Sequence, residues 1–447
     1  MVASLGLNHA GYRGFSLLLV PLALIGCHAA SAPSSDALAP HPRPLPEFVF
    51  GSAATDIGQQ AMATAAQIGY RWIRVPIRWQ MLQPTVTALP TLTRAQLAAD
   101  PSLVDDFAAH ADWSIPDATL TAASKLNLHV IGFVGASSPP SLQGVTLDPA
   151  SLGPETYLAE QALVAQAIVR RYGRARVSAP PDVATIEVWQ TENELNIAPA
   201  AALIGWRTPA GVSAFTNSPW SDFNFQTDLL RALRDAVLAG DPAAVTEINI
   251  NTDMNDAFNT QFGRPGWEDV VVAWRDLADV IGFDTYPNYY LSQPVDGTVV
   301  GARAKRFLEL VHPGQQVMVV ETGYPNGPAA RGFSAANQQK YFSDAWTSCR
   351  AAGISGFMPF AIADGSGSEP VFTPDDQTRL DALGFALRDG DFDALAGLYI
   401  SQNAWMTQQM PALTGAVEAR WGVLGPDGSE LPVLALVKAM AAETAGK

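Results

Sequence analysis

The sequence predicts an α/β protein built as a single (β/α)8, or TIM, barrel, in which eight parallel strands form a ring inside eight helices. Three observations predict it. Eight short apolar segments alternate with eight helical segments, the apolar segments are rich in β-branched and aromatic residues, and long connections follow them. The alternative, an open doubly wound sheet, would normally have a glycine-rich phosphate turn after its first strand, and residues 51–55 do not supply one.

The first 27 residues have the pattern of an export signal. Arg13 precedes the apolar run Phe15–Ile25, which is too short to span a bilayer comfortably. The run ends in Leu-Ile-Gly-Cys27, which resembles the lipobox of bacterial lipoproteins, where the cysteine becomes the lipidated N-terminus. An ordinary signal peptide cut after Ala29 or Ala30 is the alternative. Both predict export, and the lipobox predicts a lipid anchor in the bacterial cell envelope.

Two further segments complete the predicted organisation. Residues 28–46 are rich in Ala, Ser and Pro and lack apolar periodicity, which predicts a tether. Residues 47–447 then form the barrel domain. The second cysteine, Cys349, lies in a helical pattern, which favours a buried structural thiol over a nucleophile.

Composition and charge limit the classes of partner. With 48% apolar and 16% charged residues over 447 positions, the chain can fill an extensive core. A net charge of −16 makes nucleic acid a poor partner, because binding phosphates relies on Lys and Arg. The six histidines show no metal-ligand spacing, so neither a metal nor a cofactor is expected.

The predicted elements follow one another along the chain. The strands are Phe48–Gly51, Trp72–Ile77, Leu128–Val134, Val183–Trp189, Val245–Ile250, Val280–Phe283, Val317–Val320 and Ile354–Phe360. The helices are Gln59–Ile68, Pro116–Lys125, Thr156–Tyr172, Phe225–Leu238, Trp267–Leu277, Gly301–Val311, Ala335–Ala351 and Val433–Ala442. Long segments at 79–115, 135–153, 195–222 and 362–430 come after strands, and such loops build the rim that carries barrel active sites.

Two of the predicted strands end at a glutamate: Thr185-Ile-Glu-Val-Trp-Gln-Thr-Glu-Asn-Glu194 and Gln316-Val-Met-Val-Val-Glu321. In one parallel barrel, Glu194 and Glu321 emerge on the same rim, where two facing carboxyl groups can cleave a glycosidic bond. Glu187 and Glu192 are nearby alternatives to Glu194. Alternation along the strand places Glu192 on the same side as Glu194, but only Glu194 follows an asparagine.

The sequence resembles the retaining glycoside hydrolases of clan A, the barrel enzymes that include cellulases, mannanases, galactanases and xylosidases. The segments that carry the resemblance are Gly69–Pro84, Trp189–Asn196, Ile281–Pro287, Val320–Pro325 with Ser334–Tyr341, and Trp421–Pro432. The chain also departs from the clan pattern. Gln-Thr-Glu separates the tryptophan from Asn-Glu, Leu195 replaces a proline, and the eighth strand lacks the tryptophan that often lies beneath the sugar.

The resemblance implies a role for each matching residue. Glu321 corresponds to the nucleophile and Glu194 to the acid/base, in a mechanism that requires carboxyl groups roughly 5 to 5.5 Å apart. Arg74 corresponds to the arginine that braces the nucleophile, and Tyr286 to the aromatic hydroxyl that contacts it. Asn193 corresponds to a ligand of a substrate hydroxyl.

The predicted function is hydrolysis of β-glycosidic bonds in a poly- or oligosaccharide. Trp79 and Trp189 are candidates for stacking on sugar rings, and packing within the protein is an equally good interpretation of both. Two other functions fit the same residues. A barrel that binds carbohydrate without cleaving it would not need the carboxyl pair, and a transglycosylase that remodels surface glycans would share every catalytic residue.

Overall fold

The computed structural model describes residues 42–53, 59–135, 139–198, 219–253, 264–366 and 369–445. Cys27, the rest of the predicted export signal and residues 28–41 of the predicted tether lie outside this part of the chain. No helix within the described ranges is both long and apolar enough to cross a membrane.

Eight parallel strands form a closed barrel in the order β1-β2-β4-β7-β8-β9-β10-β11, with β11 paired back to β1. These strands are β1 (Val49–Ala53), β2 (Trp72–Pro76), β4 (His129–Val134), β7 (Val188–Thr191), β8 (Val245–Asn251), β9 (Val280–Thr285), β10 (Gln316–Thr322) and β11 (Gly356–Pro359). Short strands β3 (Thr85–Val86), β5 (Ser141–Leu142) and β6 (Val145–Thr146) form a separate small sheet. Each predicted strand is present, which confirms the predicted fold.

Helices surround the barrel and alternate with its strands. They are Gln59–Ile68, Ser114–Lys125, Pro154–Tyr172, Phe223–Gly240, Trp267–Trp274, Thr298–Leu310, Ala335–Ala352 and Val433–Thr444. Local chemistry sets their ends: the Ser334 side chain accepts a hydrogen bond from the N–H of Asn337, and Gly353 closes the same helix at φ 88°. Cys349 lies in this helix and is buried, as predicted.

The long connections contain helices that the sequence analysis did not predict. After β2 and β4 these are Trp79–Leu82, Arg94–Ala99, Ser102–His110 and Pro149–Leu152. After β11 they are Pro374–Asp389, Phe392–Ser401, Asn403–Gln408 and Met410–Glu418. The last group has its own apolar core, which includes Leu380, Leu383, Trp405 and Leu413. Single 3-10 turns occur at Leu195–Ile197, Pro219–Ser221, Arg275–Leu277 and Ala329–Arg331.

The interior of the barrel changes from apolar to polar along the strand direction. Its lower part is a cluster formed by Leu45, Val49, Trp72, Ile131, Val188, Val245, Val280, Met318, Val320 and Met358. Leu45 reaches this cluster from the chain preceding β1, and its N–H donates to Oε1 of Gln316. Two residues further along β2, Arg74 replaces the apolar side chains. An apolar foundation therefore supports a polar site at the carboxyl ends of the strands.

Candidate active site

A β-bulge turns Glu321 into the barrel. Val319 of β10 pairs with Phe283 of β9, but the next residue of β9, Asp284, pairs with Glu321, so Val320 is an extra residue. Val320 belongs to the apolar cluster inside the barrel. Strict alternation would direct Glu321 outward, toward the helices, and the extra residue reverses this.

Glu321 is held by two donors. The guanidinium of Arg74 donates from Nη2 to Oε1 of Glu321, and the hydroxyl of Tyr286 donates to Oε2 at 2.6 Å. The side chains of Arg74 and Glu321 are only 8% and 9% exposed, so water screens this ion pair weakly. Burial, followed by the nearby charges of Asp284 and Glu194, raises the pKa of Tyr286 well above its usual range. The phenol therefore stays protonated and donates to the carboxyl group of Glu321.

The backbone leaves β7 through two residues in the left-handed region. Strand β7 ends at Thr191, after which Glu192 has φ 61° and Glu194 has φ 45°. Non-glycine residues rarely adopt this conformation without support. The N–H of Glu194 donates to Oδ1 of Asn249 at 2.9 Å, and Leu195 is buried at the start of the following turn. These contacts hold Glu194 at the carboxyl end of its strand.

The carboxyl group of Glu194 is oriented by asparagines. Nδ2 of Asn251 donates to Oε1 at 2.5 Å, and Nδ2 of Asn193 lies 3.4 Å from Oε2. Asn251 is fixed in turn by Asn196, which donates to its carbonyl at 2.8 Å and accepts from its N–H at 3.1 Å. Sequence reasoning missed Asn249 and Asn251, although they alternate with Ile248 and Ile250 along β8, which places both asparagines on the same face of the strand.

Arg74 joins the two carboxyl groups into one network. Besides its bond to Glu321, it donates from Nη1 to Oε1 of Gln190 at 3.0 Å and to Oδ1 of Asn193 at 3.3 Å. Asn193 in turn lies against the carboxyl of Glu194. The structure thus brings together the predicted site residues Arg74, Asn193, Glu194, Tyr286 and Glu321.

Glu192, the alternative to Glu194, lies in a different environment. It is 1% exposed, whereas Glu194 is partly exposed. A Cβ added at Gly135 would come within 3.1 Å of Oε1 of Glu192, so this carboxyl packs against the end of β4. Partial exposure favours Glu194 as the group that meets a substrate.

The structure contradicts the expectation that Trp79 and Trp189 stack on sugar rings. Trp79 is 1% exposed and Trp189 is 0% exposed, and both belong to the hydrophobic core. Trp189 follows the inward Val188 and therefore points outward from the barrel. Aromatic side chains near the site include Phe360, which is half-buried with its ring centroid 6.0 Å from that of Tyr286, and Trp421, whose ring packs edge-on against Tyr286 with centroids 4.5 Å apart.

Two buried acids that the sequence analysis did not single out lie beneath the carboxyl pair. Glu247 on β8 is fully buried, its two carboxyl oxygens have no hydrogen-bond partner in the described part of the chain, and burial raises its pKa to about 8. Asp284 on β9 accepts from Nδ2 of Asn249 at 2.5 Å, and burial, reinforced by the charge of Glu194, raises its pKa well above its usual range. Glu247 therefore holds a proton at neutral pH.

The fold resembles that of solved glycoside hydrolases. An exo-β-1,4-mannosidase from Opitutaceae bacterium strain TAV5 is 16% identical with a TM-score of 0.53, over 89% of this chain and 60% of that one. A β-glycosidase from Thermosphaera aggregans is 11% identical with a TM-score of 0.57, over 90% of this chain and 97% of that one. A β-glucosidase from Pyrococcus furiosus is 10% identical with a TM-score of 0.56, over 90% of this chain and 96% of that one.

These likenesses confirm the predicted resemblance at the level of the fold. This chain has the same barrel fold as these glycoside hydrolases. It spans 60% of the length of the mannosidase. The sequence matches no protein-family model and no curated protein.

Proposed function

We propose that this chain is a retaining glycoside hydrolase that cleaves β-glycosidic bonds in a poly- or oligosaccharide. The observation that supports this most directly is that Arg74 binds Glu321 directly and is linked to Glu194 through Asn193, at the carboxyl ends of the barrel strands. Neither a binding site nor a structural ion pair requires a second, partly exposed carboxyl beside the first.

In the proposed first step, an oxygen of Glu321 forms a bond to the anomeric carbon of the sugar. The bond from that carbon to the glycosidic oxygen breaks, and the leaving oxygen takes the proton of Glu194. In the second step Glu194 removes a proton from water, the water oxygen attacks the anomeric carbon, and the bond to Glu321 breaks. Two inversions give net retention of configuration.

The surrounding residues receive roles that follow from their contacts. Arg74 and Tyr286 hold Glu321 ionised and aimed, and Asn251 holds the carboxyl of Glu194. Asn193 is the proposed ligand of the sugar hydroxyl next to the reacting carbon. Phe360 is the proposed apolar surface beneath the sugar, where many barrel glycosidases of this resemblance use a tryptophan.

The proposed β-stereochemistry is supported by the structural neighbours, which are named as a β-mannosidase, a β-glycosidase and a β-glucosidase. The test is hydrolysis of a panel of β-linked polysaccharides and aryl β-glycosides, followed by reducing-sugar release and by NMR of the anomer first formed. We expect turnover with retention, abolished by Glu321→Gln. Glu187→Gln is the matched control, because this half-exposed glutamate pairs with Arg174 at the start of the same strand segment.

The two alternatives have distinct outcomes in this test. Saturable binding of a sugar without turnover would identify a carbohydrate-binding barrel and contradict the proposal. Transfer of the glycosyl group to a sugar at high acceptor concentration, with little release to water, would identify a transglycosylase that uses the same carboxyl pair.

We also propose that the protein is exported and anchored through a lipid on Cys27, which is supported by the pattern of the first 27 residues. Incorporation of labelled palmitate and recovery in the membrane fraction test this in a bacterial host. Cys27→Ala should abolish both. Label that persists in Cys27→Ala, or a wild-type protein that remains cytoplasmic, would contradict the proposal.

A further inference from the structure

The side chain of Asn249 connects three groups near the proposed acid/base. Its Nδ2 donates to Oδ1 of Asn193 at 2.9 Å and to Oδ2 of Asp284 at 2.5 Å. Its Oδ1 accepts from the N–H of Glu194 at 2.9 Å. Because the amide oxygen can only accept and the amide nitrogen can only donate, these three hydrogen bonds can form together in only one of the two orientations of the amide.

Together with Asn193 and the N–H of Glu194, Asp284 fixes that orientation. Its Oδ2 faces the amide, so the Nδ2 end of Asn249 must point toward it and the Oδ1 end toward Glu194. A flipped amide would set its oxygen against the oxygens of Asp284 and Asn193, and its N–H against the N–H of Glu194. Asn249 is 3% exposed and Asp284 0% exposed, so water has little access to replace either contact.

We propose that Asp284 is a positioning residue for Glu194, acting through Asn249. The inference rests on the proposed function of Glu194 as the acid/base. Glu194 has φ 45°, and its N–H bond to Asn249 helps to hold that left-handed turn. Without this hydrogen bond, the backbone at Glu194 is free to relax toward an extended conformation, which would move the carboxyl group of Glu194 away from Asn251.

The test separates loss of the acid from loss of folding. A phenyl β-glycoside has a poor leaving group that needs the proton of Glu194, whereas a 2,4-dinitrophenyl β-glycoside leaves without protonation. For Asp284→Ala and Asn249→Ala we expect kcat/KM on the phenyl glycoside to fall at least about tenfold, with less than about threefold change on the dinitrophenyl glycoside. Asp284→Asn keeps an acceptor oxygen and should restore the wild-type ratio.

The matched control is Asp279→Ala. Asp279 is also a buried aspartate that joins β9 to β8, because it accepts from the N–H and the hydroxyl of Thr246, each at 2.9 Å, but it lies at the opposite end of the strand. Its loss should lower stability and leave the ratio of the two activities unchanged. Equal loss of both activities in Asp284→Ala, or no loss of either, would overturn the inference.

A crystal structure provides a readout that does not need activity. In Asp284→Ala we expect the bond between Asn249 and the N–H of Glu194 to be absent and the φ of Glu194 to become negative. Asp284→Leu, which keeps a similar shape without an acceptor oxygen, takes its place if the alanine variant does not fold. If the wild type cleaves no glycoside, the proposed function fails, and an unchanged Glu194 turn in these variants would separately overturn the positioning role.

Discussion

The carboxyl group of Glu247 lies over the Cα of Gly282, inside the barrel and beneath the proposed catalytic pair. A Cβ added at Gly282 would come within 2.1 Å of Oε1 of Glu247 and 2.3 Å of a methyl of Val320. Because Gly282 has no side chain, the carboxyl group of Glu247 from the neighbouring strand β8 can occupy the space above it.

We predict that Gly282→Ala lowers the free energy of unfolding by about 2 kcal/mol or more, because a closely packed interior must shift to admit the methyl group. Urea unfolding measures it. Gly397→Ala is the control: that glycine lies in the helix Phe392–Ser401, its Cβ would meet nothing within 4 Å, and alanine there should be neutral or stabilising. Equal effects of the two substitutions would contradict the packing argument.

Glu247 also predicts a pH dependence of stability. Its pKa is about 8 in the folded protein, against 4.5 as the ordinary value, so between these the folded state keeps a proton that the unfolded state has released. Unfolding free energy should therefore fall as pH rises from about 5 to about 8, by at most about 1.4 kcal/mol per pH unit for this group. Glu247→Gln should reduce the slope.

Urea unfolding at several pH values measures this slope. Glu187→Gln, which changes a half-exposed carboxyl, should keep the wild-type slope. If Glu247→Gln and the wild type lose stability in parallel over this range, Glu247 is not the neutral acid that its burial indicates.

Tyr286→Phe removes one of the donors to Glu321 and leaves the ring in place. We expect kcat on an aryl β-glycoside to fall about 10- to 100-fold, with a smaller change in KM, because the lost bond aims the carboxylate during reaction. Tyr324→Phe is the matched control, since that hydroxyl donates to the backbone carbonyl of Ser292 at 2.8 Å. A Tyr286→Phe enzyme with wild-type kcat would show that the hydroxyl is dispensable.

Arg74→Lys tests the link between the two carboxyl groups. A lysine keeps the charge but lacks the planar fork that reaches Glu321 through one nitrogen and Gln190 and Asn193 through another. We expect kcat/KM to fall about 100-fold. Arg71→Lys, which alters an ion pair with Glu47 at the start of β2, should leave steady-state kinetics unchanged.

The barrel was predictable because each of its strands is an apolar run that a helical pattern follows. The residues brought together in the candidate site were predictable because they lie on, or just after, the ends of those runs. Glu321 was placed correctly at the rim, but the bulge at Val320 that turns it inward leaves no mark in the composition of the strand. Hydrophobic alternation alone directs it outward.

The remaining features depend on information that periodicity does not carry. Trp189 and Gln190 are adjacent, and which of them faces the interior depends on the register of β7. In the sequence, Asn249 and Asp284 are isolated polar residues in two apolar strands. Only the pairing of β8 with β9 shows that they contact each other. The helices between residues 374 and 418 pack on one another and belong to no βα unit of the barrel, so strand–helix alternation predicts only a loop there.

The extra residue in β10 has an evolutionary consequence. Removing Val320 would take one apolar side chain from the barrel interior, yet Met318 and the glutamate would then alternate regularly, so the glutamate would still face inward opposite Asp284. The inward direction of this carboxyl group therefore survives the loss of one peptide unit at the bulge. A one-codon deletion at position 320 would thus weaken the packing under the cleft but keep the proposed nucleophile on the inward face of its strand.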